Sequence, residues 1–364
     1  MMTRRQFVER MLALGLTSTS IAALLETSAC APQSAAPQSA VPQPTKPPAP
    51  MSGPLATLPT EGGKVVLPTQ TTVAKAAVTV AATPTAGAAE ATVAPAPTYL
   101  AVARGDDPAQ LVRRAVKALG GMERFVKSGQ SVIVKPNICV AYHPPEYAAT
   151  TNPQVVAELV KLCREAGASS VMVMDHPFGG TAQEAYKISQ IGDAVKTAGG
   201  QMVLMSSVKF KQTDLPQGKD IKKWLIYQDA LKADVIIDVP IAKHHSLSRL
   251  TLAAKNLMGL TENREGLHAN LGERLIDLYT LFKPKLIVMD AYRMLMNNGP
   301  TGGNLNDVKL AKTVIASHDI VAADAYATTL FGLKPEDIAY VKAGAERGLG
   351  TLDLKSIKIE EIAV

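Results

Sequence analysis

From residue 99 onward, short unbroken apolar runs alternate with segments whose apolar positions recur every three or four residues. Runs of the first kind predict buried strands and those of the second predict helices. YLAVAR (99–104), SVIVKPN (131–137), SVMVMD (170–175), QMVLM (201–205), DVIIDVPI (234–241), KLIVMD (285–290) and KTVIAS (312–317) read as strands. SIKIEEI (356–362) alternates in polarity and reads as an edge strand, and 208–227 as a strand pair turning at Pro216 and Gly218. Helices are expected over 106–119, opened by Asp107 and Pro108, and over 153–167, opened by Asn152-Pro153 and stopped by Gly167. Further helices are expected over 189–200, 249–259, 271–282, 320–332 and 335–348. Strands alternating with helices predict an α/β domain, a mostly parallel sheet with helices on both faces, in a Rossmann-like but non-standard arrangement.

The chain before residue 98 reads differently. Residues 1–30 have the form of an export signal of the twin-arginine type, with Arg4-Arg5 followed by a modest apolar stretch too short to span a membrane. Cys30 ends Thr27-Ser28-Ala29-Cys30, a candidate lipoprotein processing site that lacks the usual Leu. Residues 31–97 are rich in Ala, Pro and Thr and predict a disordered linker. One domain, 98–364, remains. These features place the protein outside the cytoplasm, at the outer face of the cytoplasmic membrane or beyond it. They make the membrane a partner through the signal or a lipid anchor.

Net charge is +6, with the basic residues dispersed. No basic run with interleaved aromatics exists, so nucleic acid is not expected as a partner. There is no Walker loop, no G-x-G-x-x-G after the first strand and no G-x-S-x-G elbow.

Candidate chemistry gathers where strands run out, the edge at which open parallel sheets bind ligands. Lys135 and Asn137 follow one strand and Asp175-His176 another; Lys243-His244-His245 follow a third, Asp290 a fourth and His318 a fifth, with His143 a little beyond the first. Successive strand residues point to opposite faces, so one of His244 and His245 should face the crevice. Lys255-Asn256 lie in an apolar helical segment, and a buried ammonium needs a carboxylate or an anionic ligand. The Gly299–Gly303 loop, with Gly299 and Gly302, offers amides for an anion nest. His244, His268 and Asp324 are candidate metal ligands. Asp319 is either a site acid or a helix cap.

Taken in order, VIVKPN, TTNP (150–153), AKHH (242–245), LAAKNLMGL (252–260), His268, LIVMD, NGPTGG (298–303) and ASHDIVAADA (316–325) resemble the family known as domain of unknown function 362. Lys135, Pro136 and Asn137 fall on that family's Lys-Pro-Asn, Lys243 and His244 on its Lys-x-His region, and Lys255, Asn256 and Gly259 on its Lys-Asn-x-x-Gly. Gly299, Pro300 and Gly302 fall on its Gly-Pro loop, and Asp319 and Asp324 on its Asp pair. Some relatives carry ferredoxin-like iron–sulfur modules, which implies redox chemistry or service to it and a redox protein as partner. Three scattered cysteines cannot supply four thiolates, so no iron–sulfur cluster is expected here, and the cofactor is otherwise open.

The expected function is an enzyme acting on a small anionic molecule by acid–base chemistry. Lys135, Asn137, Lys243, Lys255, Asn256, Gly299 and Gly302 would hold the substrate. His244 or His245 would move the proton, oriented by Asp175 or Asp290. The alternatives are a non-catalytic ligand- or metal-binding lipoprotein and an accessory factor for a redox complex.

Overall fold

The computed structural model describes residues 98–364; residues 1–30, expected to be an export signal, Cys30, and residues 31–97, expected to be a linker, all lie outside the described residues. Ten strands form one mixed, mostly parallel sheet. In chain order its members are β1 (Leu100–Arg104), β2 (Ser131–Pro136), β3 (Ser170–Val173), β4 (Gln201–Met202), β7 (Val235–Val239), β8 (Ile241–His245), β9 (Arg249–Thr251), β10 (Leu286–Leu295), β11 (Val308–Ser317) and β12 (Ile359–Ala363). The order across the sheet is β12-β1-β11-β10-β7-β2-β3-β4, with β8 beside β10 and β9 beside β8. β5 (Phe210–Asp214) and β6 (Lys223–Tyr227) form the separate antiparallel pair.

The central strands are mainly apolar on both sides because both sheet faces are covered. Leu100, Val102, Ile133, Ile236, Ile287 and Met289 point into one core. Their neighbours Ala101, Val132, Val134, Val235, Ile237, Leu286 and Val288 point into the other. The second core is closed by α1 (Pro108–Ala118), α2 (Pro153–Glu165), α3 (Ala182–Ile188) and α4 (Ile191–Thr197). The first is closed by α5 (Ala253–Asn256), α6 (Arg264–Leu267), α7 (Leu271–Phe282), α8 (Ile320–Thr329) and α9 (Ala339–Glu346). Each buried Leu, Ile or Val side chain contributes about 1.5–3 kcal/mol to this packing. Among the described residues no helix is long and apolar enough to cross a membrane.

Helix starts follow local signals where these exist. Asp107 accepts hydrogen bonds from the amides of Ala109 and Gln110, and Asn152 from that of Gln154, each just ahead of a proline. The α3 start, a Thr181–Glu184 capping box, is legible in the sequence but was not among the expected helices.

Three expectations need correction. First, 249–259 is not one helix. Arg249–Thr251 extend as β9 against β8, Leu252 stays extended, and α5 spans only Ala253–Asn256 before a 3₁₀ turn over Leu257–Leu260. The α5 start is held from far away, since the Asp324 carboxylate accepts the Ala253 and Ala254 amides at 2.7 and 3.0 Å. No neighbouring residue could announce that boundary. Second, Asp290 does not end a strand. β10 runs on to Leu295 as a long antiparallel ribbon with β11, leaving Asp290 in mid-strand. Third, β11 runs against β10, so its carboxyl end lies at the opposite sheet edge. His318 therefore sits beside Tyr99 at the start of β1, with ring centroids 4.5 Å apart, and takes no part in the rim formed by the parallel strands.

Candidate functional site

Three strand exits and two short helices surround one cavity of about 460 Å³, within the usual size range for small-molecule sites. The β2 exit supplies Lys135, Asn137 and Cys139, and the β3 exit Asp175, His176 and Phe178. β8 and its turn supply Lys243, His245 and Leu247. α5 supplies Lys255 and Asn256, and α6 with the turn after it supplies Arg264 and His268. Pro300 reaches in from the glycine-rich loop.

The floor of the cavity is a buried hydrogen-bond network. Lys135 Nζ lies 2.9 Å from Asp175 Oδ1 and donates to Asn256 Oδ1 and the Pro136 carbonyl, each at 2.8 Å. Asp175 also accepts the amides of Ile138 and His176. Asn256 uses all four of its bonding positions: Oδ1 accepts from Lys135 and Asn137, and Nδ2 donates to the Lys135 carbonyl and to Asp238. A buried network satisfied in this way specifies one geometry. Asp238 lies beneath it, and burial pushes its carboxyl well above the usual range despite the nearby Lys135 charge. Gly259 rests directly on the ion pair. A Cβ there would lie 1.8 Å from Asp175 Oδ1, so this residue of the Lys-Asn-x-x-Gly motif must be glycine.

The walls differ from the floor. Lys243 is fully buried with no carboxylate neighbour, and its Nζ is solvated by Asn137 Oδ1, Cys139 Sγ and the carbonyls of Ala149 and Pro300 at 2.5–3.2 Å. Lys255 is 8% exposed, and among the described residues the sole hydrogen-bond contact of its Nζ is Met258 Sδ at 3.5 Å. Burial, followed by the Lys243 charge, lowers the Lys255 amine to about 8. Arg264 donates only to the carbonyls of His176 and Pro177 and lies 5.9 Å from the Phe178 ring centroid. Burial lowers its affinity for its proton too. Thr251 Oγ1 and His176 Nδ1 are buried without partners, and both residues line the cavity.

Two imidazoles face the same space with their rings 6.2 Å apart. His245 Nδ1 accepts the amides of Leu247 and Ser248, which leaves the neutral ring with its proton on Nε2. Burial and the charges of Lys255 and Lys243 push its pKa down to about 3. His268 Nδ1 lies 2.9 Å from the Arg264 carbonyl, and because a carbonyl can only accept, Nδ1 carries the proton and Nε2 presents a lone pair. Burial, then Lys255, lowers the His268 pKa as well. One ring thus offers a proton and the other can accept one.

Of the expected substrate-binding residues, the structure brings Lys135, Asn137, Lys243, Lys255 and Asn256 together in this cavity. Gly299 and Gly302 stand behind Pro300: the Gly299 amide donates to His244 Nδ1, and Gly302 packs against Leu295. His244 therefore turns to the loop and His245 to the cavity. Asp175 lines the cavity but is spent on Lys135, and Asp290 is spent on the amides of Asn152 and Tyr292, so neither orients a histidine. Burial raises Asp290 to about 6 and Asp324 to about 7. His244, His268 and Asp324 do not converge, and among the described residues no group of three His, Cys, Asp or Glu side chains could hold a metal ion. Asp319 caps α8. His143 stacks on Tyr147 outside the cavity. Cys139 and Cys163 are both free and buried. Arg264 and Asp238 were not anticipated. Asp238 carried a signal, since a carboxylate inside an otherwise apolar central strand must find a partner; Arg264 carried none.

A site built from Lys-Pro-Asn, Lys-His-His and Lys-Asn-x-x-Gly at the exits of a mixed α/β sheet defines a recognisable class. The chain belongs to the family described as Domain of unknown function (DUF362), whose profile matches residues 132–329. It is 28% identical over 253 residues to the thylakoid-associated protein sll1697 of Synechocystis sp., covering 65% of this chain and 74% of the relative. Among solved structures it is similar to the lactate racemase apoprotein of Thermoanaerobacterium thermosaccharolyticum, with 15% identity and a TM-score of 0.34 over 60% of this chain and 53% of that one. A second similarity, to a putative alcohol dehydrogenase of Thermotoga maritima, has a TM-score of 0.20 at 16% identity, covering 37% of this chain and 24% of that one.

Proposed function

We propose that the cavity binds a small organic anion and moves a proton on it, so that the protein is an enzyme of acid–base chemistry. The observation that carries this reading is the charge imbalance of the walls. Lys243, Lys255 and Arg264 line one cavity, and among the described residues none has a carboxylate within ion-pair distance; of the two acids in the same lining, Asp175 is paired with Lys135 and Glu265 is exposed. Holding several cations together without counter-charge is costly; a bound anion offsets that cost. Lys255 and Arg264 retain free donors for it. Lys243 contributes field, because its protons are already engaged. His245 is the candidate proton donor and His268 the candidate acceptor.

Oxalate tests the reading as a dianion of suitable size. It should raise the melting temperature of the wild-type protein and leave that of Lys255→Met unmoved; equal shifts in both would reject the site.

The setting we propose is extracytoplasmic, with residues 1–30 directing export and the linker or a lipid on Cys30 keeping the domain near a membrane. The relative's description as thylakoid-associated supports attachment to a membrane. A reporter fused to residues 1–97 should be exported with Arg4-Arg5 intact and retained inside when both are replaced by Lys.

A further inference from the structure

The anion reading names a charge but no reaction, and one side chain narrows it. We propose that Lys255 condenses with the carbonyl carbon of a small 2-oxo acid to form a protonated imine, with the acid's carboxylate held by Arg264. This rests on the anion-site reading and specifies its substrate class.

The three lysines of the cavity have different surroundings, and only one suits a nucleophile. Lys135 is held in an ion pair with Asp175. Lys243 meets four acceptors. Lys255 meets a thioether alone. Its one hydrogen-bond contact is a poor acceptor and a second cation stands close by, so the free amine is reached more easily than in an ordinary lysine. Desolvation beside another cation is an established way to make a lysine nucleophilic, and an amine lowered to about 8 agrees with it. The lysine backbone is fixed, because Asp324 holds the amides at the start of α5 and Asn256, the next residue, is bonded on every side. Met258 lies beside the amine, and the exposed side chains of Phe178 and Leu247 add apolar surface at the mouth of the cavity.

The condensation balances without any redox partner. The ammonium gives a proton to the His268 Nε2 lone pair. The amine then adds to the carbonyl carbon, forming the C–N bond, and the carbonyl π electrons move to oxygen, which takes a proton from His245 Nε2–H. The carbinolamine hydroxyl leaves as water after receiving the proton held by His268. The nitrogen lone pair closes the C=N bond, and the iminium keeps the positive charge that Lys255 began with. Before that closure the adduct nitrogen, which carries two protons and a positive charge, returns one of them to His245 Nε2, which frees the nitrogen lone pair and restores the ring. Imine formation makes the carbon next to the carbonyl acidic, which gives the two imidazoles a proton to move.

Pyruvate with sodium borohydride tests this in the full-length protein, with the adduct located by peptide mass spectrometry. The wild type should carry one reduced adduct, on Lys255, and Lys255→Arg should lose it. Mapping in the wild type needs no variant, so the result stands even if Lys255→Arg folds poorly. Oxalate binding with no pyruvate adduct on Lys255, or adducts scattered over surface lysines, overturns the imine and leaves the anion site standing. No binding of oxalate by the wild type overturns both.

Discussion

Two of the cavity's three buried lysines stand in opposite circumstances. Lys135, on the floor, is fully paired: one carboxylate, one amide oxygen and one carbonyl receive its protons. Lys255, on the wall, is buried nearly as deeply and has only a sulfur within reach. Both lie in Lys-Asn-type motifs, yet they serve different ends. A buried charge that is satisfied holds the structure together, whereas one left unsatisfied is a cost to the folded protein, which the proposed anion would offset.

Breaking each lysine in turn separates these roles. Lys135→Met strands the Asp175 carboxylate and should lower unfolding free energy by about 3–5 kcal/mol, read by denaturant melts. Lys255→Met should do the reverse to the ligand-free protein and stabilise it by about 2–3 kcal/mol at neutral pH. The sign follows from a folded-state value of about 8 against an ordinary 10.5. Charging Lys255 costs the native state at pH below about 8, and that cost disappears as pH rises to the unfolded value. A stability loss in Lys255→Met would show that the amine has a partner after all. Gly259→Ala should cost about 1–3 kcal/mol, because its methyl collides with the floor ion pair. A neutral effect on the melt would mean that the ion pair moves aside freely.

The smaller effects concern protons. Oxalate needs the ammonium form of Lys255, so affinity should hold below pH about 8 and fall above it, by up to tenfold per pH unit. Retention of full affinity up to pH about 10 would place the anion on Arg264 alone. His245 should stay a neutral Nε2–H ring throughout the ordinary pH range, as its value of about 3 requires. Nitrogen-15 ring shifts that titrate near pH 6 would contradict this.

Sequence reasoning reached Lys135, Asn137, Lys243, Lys255 and Asn256 because parallel strands deliver their carboxyl ends to one rim. It went astray where strand direction or length was undetermined. An apolar run says that a strand is buried but not which way it points, and so His318 was assigned to the wrong edge. The polar residues after Ala291 hid the outer half of β10, and so Asp290 was taken for a strand end. The boundary before α5 depends on Asp324, about seventy residues away, and no local pattern can carry it. The division between paired and unpaired lysines is likewise tertiary, since Lys135 and Asp175 meet only when β2 and β3 lie side by side.

Calorimetric titration of oxalate into the wild type and Lys255→Met at neutral pH tests the unpaired wall cation most directly. The wild type should bind, and the variant should bind at least about 30-fold more weakly, the factor that corresponds to about 2 kcal/mol for losing one partner of a buried charge pair. Equal affinities, or no binding by the wild type, would contradict the account.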